Sequence, residues 1–241
     1  MQRLAFHPDL VQQAYDAILD AICGGQLAPG SRVIQEDIAA RLSVSRQPVI
    51  QALLLLRKQG FLREAGRRGL VVAPLDPAEV RRVYAVRGVL DGLAARCAAE
   101  TSAKRAAAEG PALIDAGRRA AAGHDMAAMI AADMAFHRFL YDLSGNPLIE
   151  ESAGLHWQHI RRAMGGVLGR GDRPARVWEE HAAILAAVAA GDGAQAEALS
   201  RAHAEQAAAE LSIQLQASQT DKDPNGGNRD EADPATDRRV S

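Results

Sequence analysis

Long alanine-rich runs constrain this chain more than any other feature. Aromatic residues make up only 4 % of its 241 residues, while apolar residues of all kinds make up 48 %, so its cores have to be built from small aliphatic side chains. Alanine is the best helix former and has little preference for strands. The bulk of the chain is therefore expected to be helical. At this length two compact units are expected rather than one. Cys23 and Cys97 lie far apart with no CxxC spacing, which argues against a disulfide framework and fits a reducing compartment. No apolar run approaches the roughly 20 residues of a membrane span. The first residues also lack a basic-then-apolar signal. The expectation is a soluble cytoplasmic protein with no membrane partner.

The overall charge of −2 is unevenly distributed. Residues 1–74 carry a net +3, residues 75–216 a net −3, and residues 217–241 a net −2. A basic first unit on an acidic remainder points to nucleic-acid contact at that end. In the first unit, Leu10, Ala14, Ala17, Ile18, Ala21 and Ile22 follow helical spacing up to Gly24-Gly25. A second helix is predicted over 35–42 and a third from Arg46 to Gly60, with Ser45 as its N-cap. Two short apolar runs, 61–64 and 70–73, are joined by Ala65-Gly-Arg-Arg-Gly69, which signals a hairpin. Three helices and a hairpin make a winged helix-turn-helix over residues 1–74. Its third helix would enter the major groove with Arg46, Gln47, Ile50 and Gln51, and the wing tip would offer Arg67, Arg68 and Gly69.

From Pro77 to residue 216 the pattern is a succession of helices, predicted over 77–100, up to Gly123, 125–144, 147–165, 174–190 and 194–215. Gly110-Pro111 reads as a break, and Gly169–Pro174 as a flexible loop. Short connections imply an antiparallel all-helical bundle. Asp133 and His137 stand one helical turn apart and face the same way. With His181 and His203 on two later helices they could form one site for a divalent transition metal: zinc, nickel, iron or manganese. Residues 217–241 are polar, charged and poor in large apolar side chains, and are expected to be a disordered tail without assigned function.

The stretch QEDIAARLSVSRQPVIQALLLLRKQGFL, followed by GRRGLVV, resembles the DNA-binding domain of GntR-type bacterial transcription regulators. The family commonly has an arginine where this chain has Ile50 and a glutamate where it has Gln51. The resemblance therefore implies DNA binding with an altered operator preference. Residues 79–210, with VYAVRGVLDGLAARCAA, DMAFHRFLYDLSGNPLI and EEHAAILAAVAAGDGAQAEALSRAH, resemble the FCD ligand-binding domain of the FadR-like branch. That resemblance implies that Asp133, His137, His181 and His203 hold a metal, and that a small carboxylate effector binds beside it. Arg87 matches a cavity-facing arginine, with an ion pair to Asp91 as its plain alternative. Arg161 or Arg162 would be a looser second clamp, and His156 and His159 stay unassigned. The expected protein is a homodimer on a palindromic operator in double-stranded DNA, a non-enzymatic regulator, with repression as the expected mode. A metal-dependent hydrolase and a regulator with a purely structural metal are the alternatives.

Overall fold

The computed structural model describes residues 9–167 and 173–220. The first unit is α1 (Leu10–Cys23), α2 (Gln35–Leu42), α3 (Arg46–Lys58), and a hairpin of β1 (Leu62–Glu64) and β2 (Leu70–Val72). Asp9 caps α1, its carboxylate accepting from the N–H groups of Val11 and Gln12. Ser45 stands at the N-cap position of α3 with extended backbone, but its hydroxyl makes no capping bond, which corrects the expected side-chain cap. The apolar stripe of α3, Val49, Ala52, Leu53 and Leu56, is buried against α1 and the hairpin residues Phe61 and Val72. In the hairpin Leu62 pairs with Val72 and Glu64 with Leu70. A single 3-10 turn, Gly66–Arg68, forms the tip. The chain before α2 adds a bridge that sequence periodicity does not reveal: Arg32 pairs with Val71, and the Val33 N–H donates to the Leu70 carbonyl.

The second unit is the helices α4 (Pro77–Gly123), α5 (Met126–Leu143), α6 (Pro147–Val167), α7 (Arg173–Ala189) and α8 (Gly193–Thr220). α4 starts at Asp76, whose carboxylate accepts from the Ala78 N–H, with Pro77 in the first turn where its missing donor costs little. It is the spine of the bundle, touching α5, α7 and α8 along its length. Its helical geometry is interrupted at Ser102 (φ −134°, ψ 20°), close to the predicted end near residue 100. The break expected at Gly110-Pro111 does not occur; helix continues through both residues. Gly110 has a packing role instead. A Cβ there would lie 2.4 Å from Leu185 Cδ1 on α7, and one at Gly117 would lie 2.0 Å from the Trp178 ring. On the first half of α4, Gly88 gives the same close approach to α8, 3.3 Å from the Ala204 Cβ.

Two departures concern boundaries. α8 runs to Thr220, so residues 217–220 are helical rather than part of the tail; the rest of the expected tail lies outside the described residues. Of the expected loop at 169–174, residues 169–172 also lie outside them, and Arg173 already opens α7. Among the described residues no helix is long and apolar enough to cross a membrane.

α6 docks the first unit onto the bundle. The His159 ring stacks on Phe61 at 4.3 Å and 14°. Arg161 pairs with Asp20 at 2.6 Å, and Arg162 donates to the Ala73 carbonyl. At Gly165 a Cβ would lie 2.9 Å from the Cys23 carbonyl oxygen.

The two kinds of helical glycine should respond oppositely to alanine. Gly→Ala in a helix gains up to about 1 kcal/mol, whereas overpacking a filled core costs about 1–3 kcal/mol. Gly154→Ala, with nothing within 4 Å of its Cβ, should therefore raise stability in urea unfolding, and Gly117→Ala should lower it. Equal effects would show that the Gly117–Trp178 contact does not constrain the helix pair.

Candidate functional site

The four predicted ligand residues come together. Asp133 and His137 project from one face of α5, His181 from α7 and His203 from α8, and all four are buried. One ligand atom from each lies within 4.8 Å of the others. His181 Nε2 is 3.3 Å from His203 Nε2 and 3.5 Å from Asp133 Oδ1. The His181 ring is wedged between Phe136, stacked at 4.3 Å, and the edge of Trp178 at 4.8 Å, so its direction is set by packing.

Outer partners orient the ligand atoms. Glu180 Oε2 lies 2.7 Å from His203 Nδ1; with the proton assigned to Nδ1, the Nε2 lone pair faces the cluster. Arg87 Nη2 lies 2.6 Å from His137 Nε2, so that nitrogen accepts from the guanidinium, and a metal there would take the same lone pair in its place. Arg87 is 3.7 Å from Asp133 Oδ2 and donates through Nε to Asp91 Oδ2 at 3.0 Å. The expected Arg87–Asp91 pair thus exists, yet both residues are buried inside the bundle rather than on its surface. Tyr141 donates to Asp91 Oδ1 at 2.5 Å, and the Arg87 guanidinium lies over the Trp157 ring at 4.4 Å. Asp91, Tyr141, Trp157 and Glu180 were not singled out as parts of the site. Tyr141 and Glu180 left a trace: one is the next turn along the Asp133–His137 face, and the other adjoins His181. For Trp157 no local signal exists.

The donor set fits a divalent cation. Three imidazoles and a carboxylate suit zinc-like metals, and the imidazoles must be neutral to ligate. Burial, then the charge of Arg87 and the neighbouring rings, push His137 well below the usual histidine range. Burial does the same to His181, with His203 and Arg87 adding to it. Burial alone would depress Arg87, but Asp91, and less closely Asp133, hold its guanidinium above its ordinary value. One guanidinium facing two carboxylates leaves a formal excess of negative charge among neutral rings, which a bound cation offsets.

The wing and α3 form the second candidate surface. Arg46, Gln47 and Gln51 are exposed and Ile50 is half-buried, all on the side of α3 away from its buried stripe. Arg46 Nη1 is 3.2 Å from Glu36 Oε1, an exposed pair that a phosphate can readily displace. Arg67, Arg68 and Gly69 are exposed at the tip, Gly69 with φ +70°. Arg161, expected as a second clamp, is turned to Asp20 of α1 and away from the cluster, because α6 presents that side to the first unit.

The buried imidazoles set a pH dependence for the metal-free protein. Unfolded, each takes up a proton near pH 6.5; folded, only at lower pH. Below that value the unfolded state binds more protons, so stability falls with falling pH. Thermal melts of chelator-treated protein should show the melting temperature dropping from about pH 7 to about pH 5, and dropping less for His181→Gln. A flat profile would mean that these rings are not held neutral.

Comparison with known proteins places this geometry. Residues 10–72 match the bacterial regulatory proteins of the gntR family, and residues 82–206 match the FCD domain. An HTH-type transcriptional regulator from an unstable DNA locus of Streptomyces ambofaciens is 30 % identical over 183 residues, covering 74 % of this chain and 75 % of that one. One from the TAR-I ttuE-ttuC' intergenic region of Agrobacterium vitis is 33 % identical over 133 residues, 54 % of this chain and 78 % of the relative. The Escherichia coli repressor RspR is 32 % identical over 88 residues, 36 % of this chain and 39 % of its own length. Among solved structures, E. coli McbR/YncC superposes with a TM-score of 0.71 at 24 % identity, covering 86 % of this chain and 99 % of that one, a likeness of fold. These relatives are transcription regulators, a non-enzymatic role, which sets the hydrolase alternative aside. The chain belongs to the GntR family of bacterial regulatory proteins, as a DNA-binding transcription regulator that joins a winged helix-turn-helix to an FCD domain.

Proposed function

We propose that operator binding by this regulator is controlled by a small carboxylate that binds at a divalent transition metal in the helical domain. The observation that carries the reading is the convergence of four buried ligand atoms within 4.8 Å, beside a buried arginine. Asp133, His137, His181 and His203 would hold the metal. When bound, the metal supplies positive charge and open coordination positions for a carboxylate oxygen. Arg87, with a planar fork suited to carboxylates, would take the other oxygen. Asp91 and Tyr141 hold that fork in place, and Glu180 keeps His203 turned inward.

Coupling to DNA would run through α6. Trp157 packs on Arg87 and lies 5.2 Å from the His137 ring, while His159, Arg161 and Arg162 of the same helix grip the DNA-binding unit. A ligand shifts that equilibrium only if it binds the two poses unequally. The protein would act as a homodimer with two α3 helices in successive major grooves of a palindromic operator. Arg46, Gln47, Ile50 and Gln51 would meet base edges, and Arg67, Arg68 and Gly69 the backbone or minor groove. Repression is the mode supported by the likeness to RspR, whose name describes a repressor.

Mobility-shift titrations on DNA from the protein's own promoter region test this. A response of DNA affinity to small carboxylates should disappear with chelator or with His181→Ala, while fold and basal binding persist. Loss of fold would make the metal a structural staple, and an undiminished response would refute the sensing role. Glu180→Ala should weaken metal affinity by about 10–100-fold, read by competition with a chelating dye. Arg67→Ala should weaken DNA binding across sequences and flatten its salt dependence by about one counterion, whereas Gln51→Ala should relax sequence selectivity.

A further inference from the structure

A cavity of about 270 Å³ lies between the two units. The end of α3 contributes Gln59 and Gly60, the connector contributes Leu75, and the bundle contributes Tyr84, His159 and Arg162. None of the residues in the Asp/His cluster lines it. Its volume falls just below the roughly 300–1,000 Å³ of drug-sized ligand sites, which suits a small occupant.

The charge pattern of this cavity is lopsided. Arg162 is only 6 % exposed, and its guanidinium donates to a backbone carbonyl, that of Ala73. Among the described residues it makes no ion pair, so a full positive charge sits in the wall without a counterion. Such a charge is costly, because an arginine cannot shed its proton to escape burial. Burial accordingly holds Arg162 below its ordinary value, the reverse of the well-paired Arg87. Two carboxylates also border the cavity, Asp76 and Glu79, but both side chains are half-exposed and engaged elsewhere. Asp76 caps α4 and lies 3.5 Å from Arg82, while Glu79 accepts from Arg82 at 2.5 Å. Beside the polar side chains of Gln59, Tyr84 and His159, the wall has an apolar side made by Val80, Val83, Ile160 and Ala163.

We infer that this junction cavity is a second ligand site, taking a small monocarboxylate whose apolar body lies on Val83 and Ile160 and whose carboxylate neutralises Arg162. Neutralising a desolvated guanidinium gives the ligand a charge-assisted, fork-shaped partner. An occupant would touch α3, α4 and α6 together, so it binds best in the docked pose of the DNA-binding unit and favours that pose. This site shares no side chain with the Asp/His cluster and needs no metal.

Calorimetric titration of the full chain in chelator, with benzoate and hexanoate as probes and benzamide and hexanamide as neutral controls, tests the inference. Both carboxylates should bind, and the amides at least about tenfold more weakly. Arg162→Gln should lower carboxylate affinity by at least about tenfold, with Arg162→Lys in between because it keeps the charge and loses the fork. His181→Ala should leave the affinity within about twofold, since it alters only the other site. Circular dichroism checks the fold of each variant; if Arg162→Gln does not fold, the intermediate loss expected of the lysine variant serves as the test. No carboxylate binding at millimolar concentration, equal binding of the amides, or affinity unchanged in both Arg162 variants would overturn the site. Loss of binding in His181→Ala would assign the carboxylate to the Asp/His cluster and overturn it equally.

Discussion

Burying a guanidinium, two carboxylates and three imidazoles inside an alanine-packed bundle is the constraint to which the second unit is built. Each of these groups is expensive to desolvate alone. They coexist because each is partnered or held neutral: Arg87 by Asp91 and His137, Asp91 by Tyr141, and His203 by Glu180. Packing supports the arrangement from behind, with Phe136 and Trp178 gripping His181 and Trp157 covering Arg87. The large aromatics in a chain otherwise poor in them are thus concentrated around the charged cluster. Displacing one partner leaves another buried charge uncompensated, so the network holds together as a unit.

The spine helix makes this possible through what it lacks. Gly88 lets α8 approach, and Gly110 and Gly117 receive Leu185 and Trp178 of α7. Close approach of α7 and α8 to α4 brings an imidazole nitrogen from each within 4.8 Å of the α5 pair's ligand atoms. α6 then links this interior to the outside. One of its turns packs on Arg87 and His137, and the next holds the DNA-binding unit through Phe61, Asp20 and Ala73. The contrast between Arg87 and Arg162 is instructive here. Both are buried, but Arg87 is paired within the bundle, whereas Arg162 faces the junction and makes no ion pair among the described residues.

Much of this was legible in the chain. The apolar stripe of α3 and the glycine-flanked hairpin identify the winged head, and the one-turn spacing of Asp133 and His137 announces a shared face. Resemblance to a family supplied the other two histidines, which periodicity could not connect. Misread positions share a cause. Gly110-Pro111 looks like a helix break because local rules count the missing donor and the lost side chain, but not the Leu185 side chain that fills the gap. Arg161 matches a clamp only loosely by resemblance, and its turn of α6 faces α1.

Most helices and the hairpin are local matters, decided by side-chain entropy, capping and a period of 3.6 or 2 residues, and they were determined by the order of residues except where packing prevailed, as at Gly110-Pro111. So were the basic head, the acidic bundle and the Asp133–His137 pair, which a single helix brings together. The tertiary structure alone decided that His181 and His203 join that pair, that Arg87 and Asp91 are interior rather than solvated, and that Arg162 lines a junction. Those outcomes depend on which helix faces pack, over separations of tens of residues, and on how closely glycine lets them do so.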